Sequence, residues 1–117
     1  MSQEITKALL PTATEKARAA ARFMYGVGVV AAAGERKTIT YSGIASGLQA
    51  MGLGYSYRSL GTALDALAAY CDRVHVPDLS AIYEPKQTGT PGRWKSPQEK
   101  EFEAKRCFNK TGWPGLP

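Results

Sequence analysis

The chain has 117 residues, a length that suits one domain with one core. An apolar fraction of 44% with 21% charged residues argues against disorder of the whole chain, and the longest apolar stretch, Tyr25 to Ala33, is interrupted by glycine and too short to span a bilayer. The net charge of +5 is unevenly spread: six basic residues face three acids in 1–38 (+3), two face three in 39–83 (−1), and seven face four in 84–117 (+3). Basic ends therefore flank a near-neutral centre, a distribution that suits a polyanionic partner as well as plain solubility.

The opening, MSQEITKALLP, lacks the basic-then-apolar layout of a signal peptide, so a cytoplasmic location away from membranes is expected. Residues 3–10 read as a short helical turn stopped by Pro11. Thr12-Ala13-Thr14-Glu15 is a capping box, and a helix is expected over 12–33. Ala17, Ala20, Ala21, Met24, Val27, Gly28 and Ala31 form its apolar stripe, with Gly34 as its stop. Arg18 and Arg22, one turn apart, read as a solvated face.

The next region, 38–95, reads as strand, helix-turn-helix and wing. Thr38 to Tyr41 has the β-branched and aromatic content of a strand. Ser42 is a candidate N-cap for a helix with Ile44, Ala45, Leu48 and Met51 on one face; Gly52 and Gly54 end it. A second helix starts around Ser56 to Ser59. Its stripe, Leu60, Leu64, Leu67, Cys71 and Val74, is the strongest periodic signal in the chain, and Pro77 closes it. Leu79 to Glu84 alternates like a strand, with Leu79, Ala81 and Tyr83 on one side. Turn residues fill Pro85 to Gly92, and Arg93-Trp94-Lys95 reads as a returning strand. Ser96-Pro97-Gln98-Glu99 is a second capping box that opens a helix over 96–111, followed by an irregular tail over 112–117.

The order predicts a single α+β domain, mostly helical: a winged helix-turn-helix with a small β-hairpin and flanking N- and C-terminal helices. Such a fold presents the start of its third helix to a DNA groove and sets the hairpin beside it. Tyr57, Arg58 and Ser59 at that helix start, and Lys86, Arg93, Trp94 and Lys95 on the wing, are the expected nucleic-acid contacts. Asp65 and Asp72 make the presumed reading helix itself non-basic.

Ile39-Thr40-Tyr41-Ser42-Gly43-Ile44-Ala45, followed by Tyr57-Arg58-Ser59-Leu60-Gly61-Thr62-Ala63-Leu64, resembles the winged-helix half of alkylguanine alkyltransferases and alkyltransferase-like proteins. The resemblance covers about 35 residues on this motif alignment. It implies minor-groove binding through the helix, with Arg58 occupying base-stack space. The reactive Pro-Cys-His-Arg run of that family is missing, so alkyl transfer is not implied. Pro77 to Tyr83 and Thr88 to Gly92 also resemble a stretch found in small phage and bacterial proteins.

No catalytic residues, metal or cofactor are expected. Cys71 and Cys107 read as reduced, partly buried thiols, and Cys71-x-x-x-His75, with the one histidine, falls short of a zinc ligand set. Two functions remain: a non-enzymatic regulatory protein on duplex DNA, or a phage-type protein-binding module. The second would inhibit a host protein or nucleoprotein machine such as a CRISPR complex.

Overall fold

The structure is a computed structural model, and it describes residues 15–56, 59–84, 94 and 96–115. In chain order these form α1 (Glu15–Val29), a π-helical turn (Val30–Glu35), β1 (Ile39–Thr40), α2 (Tyr41–Ala50), α3 (Gly61–Arg73), a 3-10 turn (Leu79–Ile82), β2 (Tyr83–Glu84) and α4 (Pro97–Asn109). The fold is thus mostly helical with a small sheet.

Small residues let helices approach closely. Ala17, Ala20, Ala21 and Met24 bring α1 against α3, whose Leu60, Leu64, Leu67 and Cys71 are buried in the expected stripe, with Val74 half-buried at its edge. Arg18 does not lie on a solvated face: it is 9% exposed, because position 18 shares its side of α1 with Ala21 and Tyr25, both buried. Arg22 is half-buried.

The helix also passes the expected stop at Gly34. It widens into the π turn and ends at Arg36, whose φ of 54° is left-handed and whose N–H reaches the Ala31 carbonyl. Tertiary bonds hold that backbone: the Arg36 guanidinium donates to the Phe108 carbonyl at 2.8 Å and to Asn109 Oδ1 at 3.2 Å. A cation thereby caps the C-terminus of α4, where helix carbonyls are left over.

The expected strand over 38–41 contracts to Ile39–Thr40. Thr40, not Ser42, caps α2: its Oγ1 accepts from the Gly43 amide at 3.1 Å, so Tyr41 already lies in the first helical turn. Ile44, Ala45 and Leu48 are buried as expected, whereas Met51, beyond the helix end, is 52% exposed. Gly52 terminates α2 with φ 82°, the Leu53 amide bonding the Leu48 carbonyl and the Gly52 amide bonding that of Gln49. His75 does the same for α3 with φ 59°, using Val76 to Cys71 and His75 to Asp72 bonds. Both are Schellman ends, and the second closes α3 before Pro77.

Leu79 to Ile82 is not a strand. Asp78 accepts from the Ser80 amide at 2.9 Å and starts a 3-10 turn whose four residues are all buried. A side chain that satisfies a nearby amide offers the backbone an alternative to a sheet ladder. Only Tyr83–Glu84 extend, and they pair in parallel with β1, Ile39 opposite Tyr83 and Thr40 opposite Glu84. The small sheet among the described residues is a parallel pair bridged by α2 and α3.

Ser96 caps α4 as expected: its Oγ accepts from the Glu99 amide at 3.1 Å, with Pro97 in the first turn. Ser96→Ala should lower stability by about 1 kcal/mol, the usual worth of such a cap. Urea denaturation checks this, and an unchanged midpoint contradicts it.

Candidate nucleic-acid interface

The turn between α2 and α3 is built from short polar links. Gln49 Nε2 donates to the Tyr55 carbonyl at 2.8 Å, and Tyr55 is buried at 4% exposure rather than presented to solvent. Lys16 of α1 spans the turn, donating to the Gly54 carbonyl at 3.1 Å with its ammonium 4.4 Å from the Tyr55 ring centroid. Ser59 is exposed, but its Oγ accepts from the Ser56 amide at 2.9 Å and so closes the turn. Tyr57 and Arg58 lie outside the described residues.

Leu60, at the head of α3, provides no side-chain cap. The outer side of α3 exposes Thr62, Asp65, Ala69, Asp72 and Arg73. Two carboxylates along that side oppose a phosphate-lined groove over most of the helix length, whereas its first turn carries no acid.

Lys86, Arg93 and Lys95, and with them the expected hairpin, also lie outside the described residues. Both roots of their loop are described. At one root, Thr38 Oγ1 donates to Glu84 Oε2 at 3.0 Å, and Lys100 Nζ stands 3.9 Å from Glu84 Oε1. Lys100 is 9% exposed and donates to the Ala81 carbonyl at 2.8 Å. Burial lowers its pKa, and the Glu84 charge partly restores it. At the other root, Ser96 caps α4, and Trp94 lies partly buried against the core. The Trp94 indole N–H is buried without a hydrogen-bond partner.

Residues 85–95 hold three cations and no acid. The described residues hold ten basic and nine acidic side chains, a net of +1. The five other cations, Lys7, Arg58, Lys86, Arg93 and Lys95, stand against Glu4 alone and supply the remaining +4. Several cations among the described residues are engaged internally: Lys37 with Glu35 at 3.1 Å, Lys105 with Glu101 at 3.5 Å, Arg106 with Glu103 at 2.9 Å, and Arg36 with the end of α4.

Cys71 and Cys107 are both free and fully buried. Burial pushes the Cys71 thiol up to about 12 and raises that of Cys107, to whose Sγ the Asp78 carbonyl lies 3.4 Å away. Cys71 and His75 do not share a helical face: α3 ends at Arg73, and His75 is exposed in its left-handed cap. No group of three or more His, Cys, Asp or Glu among the described residues is placed to hold a metal ion, and none of the described helices is long and apolar enough to cross a membrane. The buried thiols should react with iodoacetamide at least about 100-fold more slowly in the native protein than in urea, since the thiolate is the reactive form and the sites are closed. Equal rates would place them at the surface.

A separate feature lies on the far side of α1. An open groove of about 510 Å³ runs beside its C-terminal half and the π turn, with Phe23, Val27, Val30 and Ile39 as apolar lining and Arg22, Glu35 and Lys37 at its edge. Periodicity does not announce it, because a π turn leaves no signature in a 3.6-residue pattern.

Comparison with protein-family models, curated proteins and solved structures finds no match.

Proposed function

We propose that this chain is a non-enzymatic DNA-binding or regulatory protein of winged helix-turn-helix type. In this reading it contacts duplex DNA through the start of α3 and the basic loop 85–95. The observation that carries the reading is the sequence 85–95, where Lys86, Arg93 and Lys95 stand with no acid among them. Counterion release from phosphate rewards a cluster of cations without nearby acids in sequence. Leu60 supplies no side-chain cap at the head of α3, where the positive end of the helix dipole favours an anion. The direct parallel pairing of β1 with β2 sets this arrangement apart from the usual wing, because β2 is here joined to the strand before α2.

A duplex titration at several salt concentrations tests the proposal. Three phosphate contacts, from Lys86, Arg93 and Lys95, give a slope of log K against log salt of about −2.7. Changing Lys86, Arg93 and Lys95 together to glutamate should leave the circular dichroism spectrum intact and remove measurable binding. Arg58→Ala should cost about 1–3 kcal/mol and relax any sequence preference, as expected of a side chain at the base edges. Absence of duplex binding by the unaltered chain at low salt overturns the proposal.

Asp65 and Asp72 on the exposed side of α3 favour a second reading, in which that helix meets a basic protein surface. A phage-type inhibitor of a host nucleic-acid machine, such as a CRISPR complex, would use it so. Asp65→Lys with Asp72→Lys separates the two: it strengthens DNA binding under the first reading and abolishes partner binding under the second.

A further inference from the structure

The tail beyond α4 returns to α1. Its root is fixed, because the Arg36 guanidinium holds the Phe108 carbonyl and Asn109, and the Lys110 amide bonds the Cys107 carbonyl at 3.3 Å. Gly112 then turns the chain with a left-handed φ of 66°, which glycine adopts without a steric penalty. Trp113 meets the Tyr25 ring of α1 edge-on, with centroids 6.3 Å apart, and Tyr25 meets Tyr70 of α3 in the same manner at 5.1 Å. The Tyr25 hydroxyl donates to the Pro114 carbonyl at 2.5 Å. We propose that residues 111–115 are a strap that opens about Gly112 while the helices stay folded, and that the Tyr25–Tyr70 site beneath it takes an extended aromatic–proline segment of another protein. The strap shares no residue with the DNA contacts proposed above.

The attachments of the strap are few. Among the described residues, the bond from Tyr25 to Pro114 is the one hydrogen bond that residues 111–115 make. The Trp113 indole N–H is buried without a partner there, so closure deprives it of water. Trp113 and Pro114 are half-buried, while Thr111, Gly112 and Gly115 are exposed. A segment with so little buried area opens far more often than the whole fold. The helix on the other side of Tyr25 is anchored differently, since α3 buries Leu64, Leu67 and Tyr70. The occupant also defines the ligand: an aromatic ring against the Tyr25 edge, then a carbonyl acceptor on proline. Proline locks φ, so such a segment loses little freedom on docking. Because the strap fills the site from within the chain, a competitor meets only the open fraction, and its apparent affinity falls by that fraction.

The test uses the full chain and a capped peptide of residues 111–115. Hydrogen exchange followed by NMR should give the Trp113 indole N–H a protection factor at least about tenfold below that of the Leu67 amide. Tyr25→Phe, which keeps the ring and removes the bond to Pro114, should lower that indole protection several-fold and leave the amide spectra of α3 and α4 unchanged. Trp113→Ala should keep its helical circular dichroism. In this variant the peptide should move the Tyr25 and Tyr70 ring resonances saturably, at least about tenfold more tightly than in the unaltered chain. The same peptide with alanine for tryptophan should move neither ring. Equal protection of the indole and of Leu67 would mean that the strap leaves only on global unfolding, and overturns the proposal. So does loss of helix in Trp113→Ala, or ring resonances in that variant indifferent to the peptide. Concentration-dependent dimers in light scattering that vanish in Trp113→Ala would place the tail on a second copy, and would equally overturn it.

Discussion

Tyr83→Ala should be among the most damaging single substitutions in this protein, with a loss of about 3–5 kcal/mol, the range for emptying a buried aromatic site. Tyr83 is fully buried, and it is the largest of the fully buried side chains among the described residues. Three elements depend on it. Its backbone pairs with Ile39 of β1, its ring stands where the 3-10 turn enters the core, and its hydroxyl donates to the Met24 carbonyl of α1 at 2.5 Å. Gly28 marks how close the approach is: a Cβ there would lie 3.3 Å from Leu79 Cδ2 and 3.5 Å from Tyr83 Oη. Tyr83→Phe isolates the hydroxyl and should cost about 1 kcal/mol, the net worth of one hydrogen bond. Urea denaturation of the three proteins gives both numbers. A Tyr83→Ala loss below about 1 kcal/mol would show that the position is not packed as described, since cavity formation alone exceeds that.

The same residue shows what the sequence discloses and what it hides. The alternation of Leu79, Ala81 and Tyr83 correctly marks one buried side, but Ser80 and Ile82 are buried too. Periodicity separates faces only when an element has an open face, and this segment is enclosed by α1, α3 and α4. Asp78 is the local signal that could have identified the 3-10 turn, through its bond to the Ser80 amide. Leu60, Leu64, Leu67 and Cys71 were readable because α3 has a wet side and a dry side. Ser96 was readable because Pro97 and Glu99 reinforce it. Thr40 and Ser42 are both hydroxyl residues at the head of α2, and tertiary pairing of Ile39–Thr40 with β2 sets the boundary between them. Arg36 in a left-handed conformation was unreadable, because its cause lies 72 residues away at the end of α4.

The candidate interface divides similarly. Charge and turn composition single out Arg58, Lys86, Arg93 and Lys95 without any fold, since a surplus of cations is a property of the sequence itself. The structure adds what surrounds them: Ser59 closes its turn with its own hydroxyl, Trp94 leans on the core, and Lys100 and Glu84 tie the loop root to α4 and Thr38. Apart from the local Ser59–Ser56 bond, these roles have no sequence signature, because each depends on a partner from another element.

Alkaline conditions should weaken the fold steeply, because its buried proton donors share one sense of perturbation. Burial pushes Cys71 up to about 12 from 9.0 and Tyr25 up to about 12 from 10.0, and raises Cys107, Tyr70 and Tyr83. The unfolded chain loses these protons first. The stability held by each group is therefore complete below its unfolded pKa and drains away as pH climbs toward the folded value. For Cys71 alone the loss between pH 9 and 11 is of the order of 2–3 kcal/mol, at 1.36 kcal/mol per pH unit. Lys100 works against this trend: its folded pKa is depressed, so the unfolded chain holds that proton longer and stability gains in the interval just below 10.5. One opposing lysine offsets only part of what two thiols and three phenols give up. Urea midpoints measured anaerobically with reductant at pH 8, 9.5 and 11 should fall progressively, and Cys71→Ala should make the decline shallower. Midpoints that stay level to pH 11 would mean that these thiols and phenols meet water in the native state.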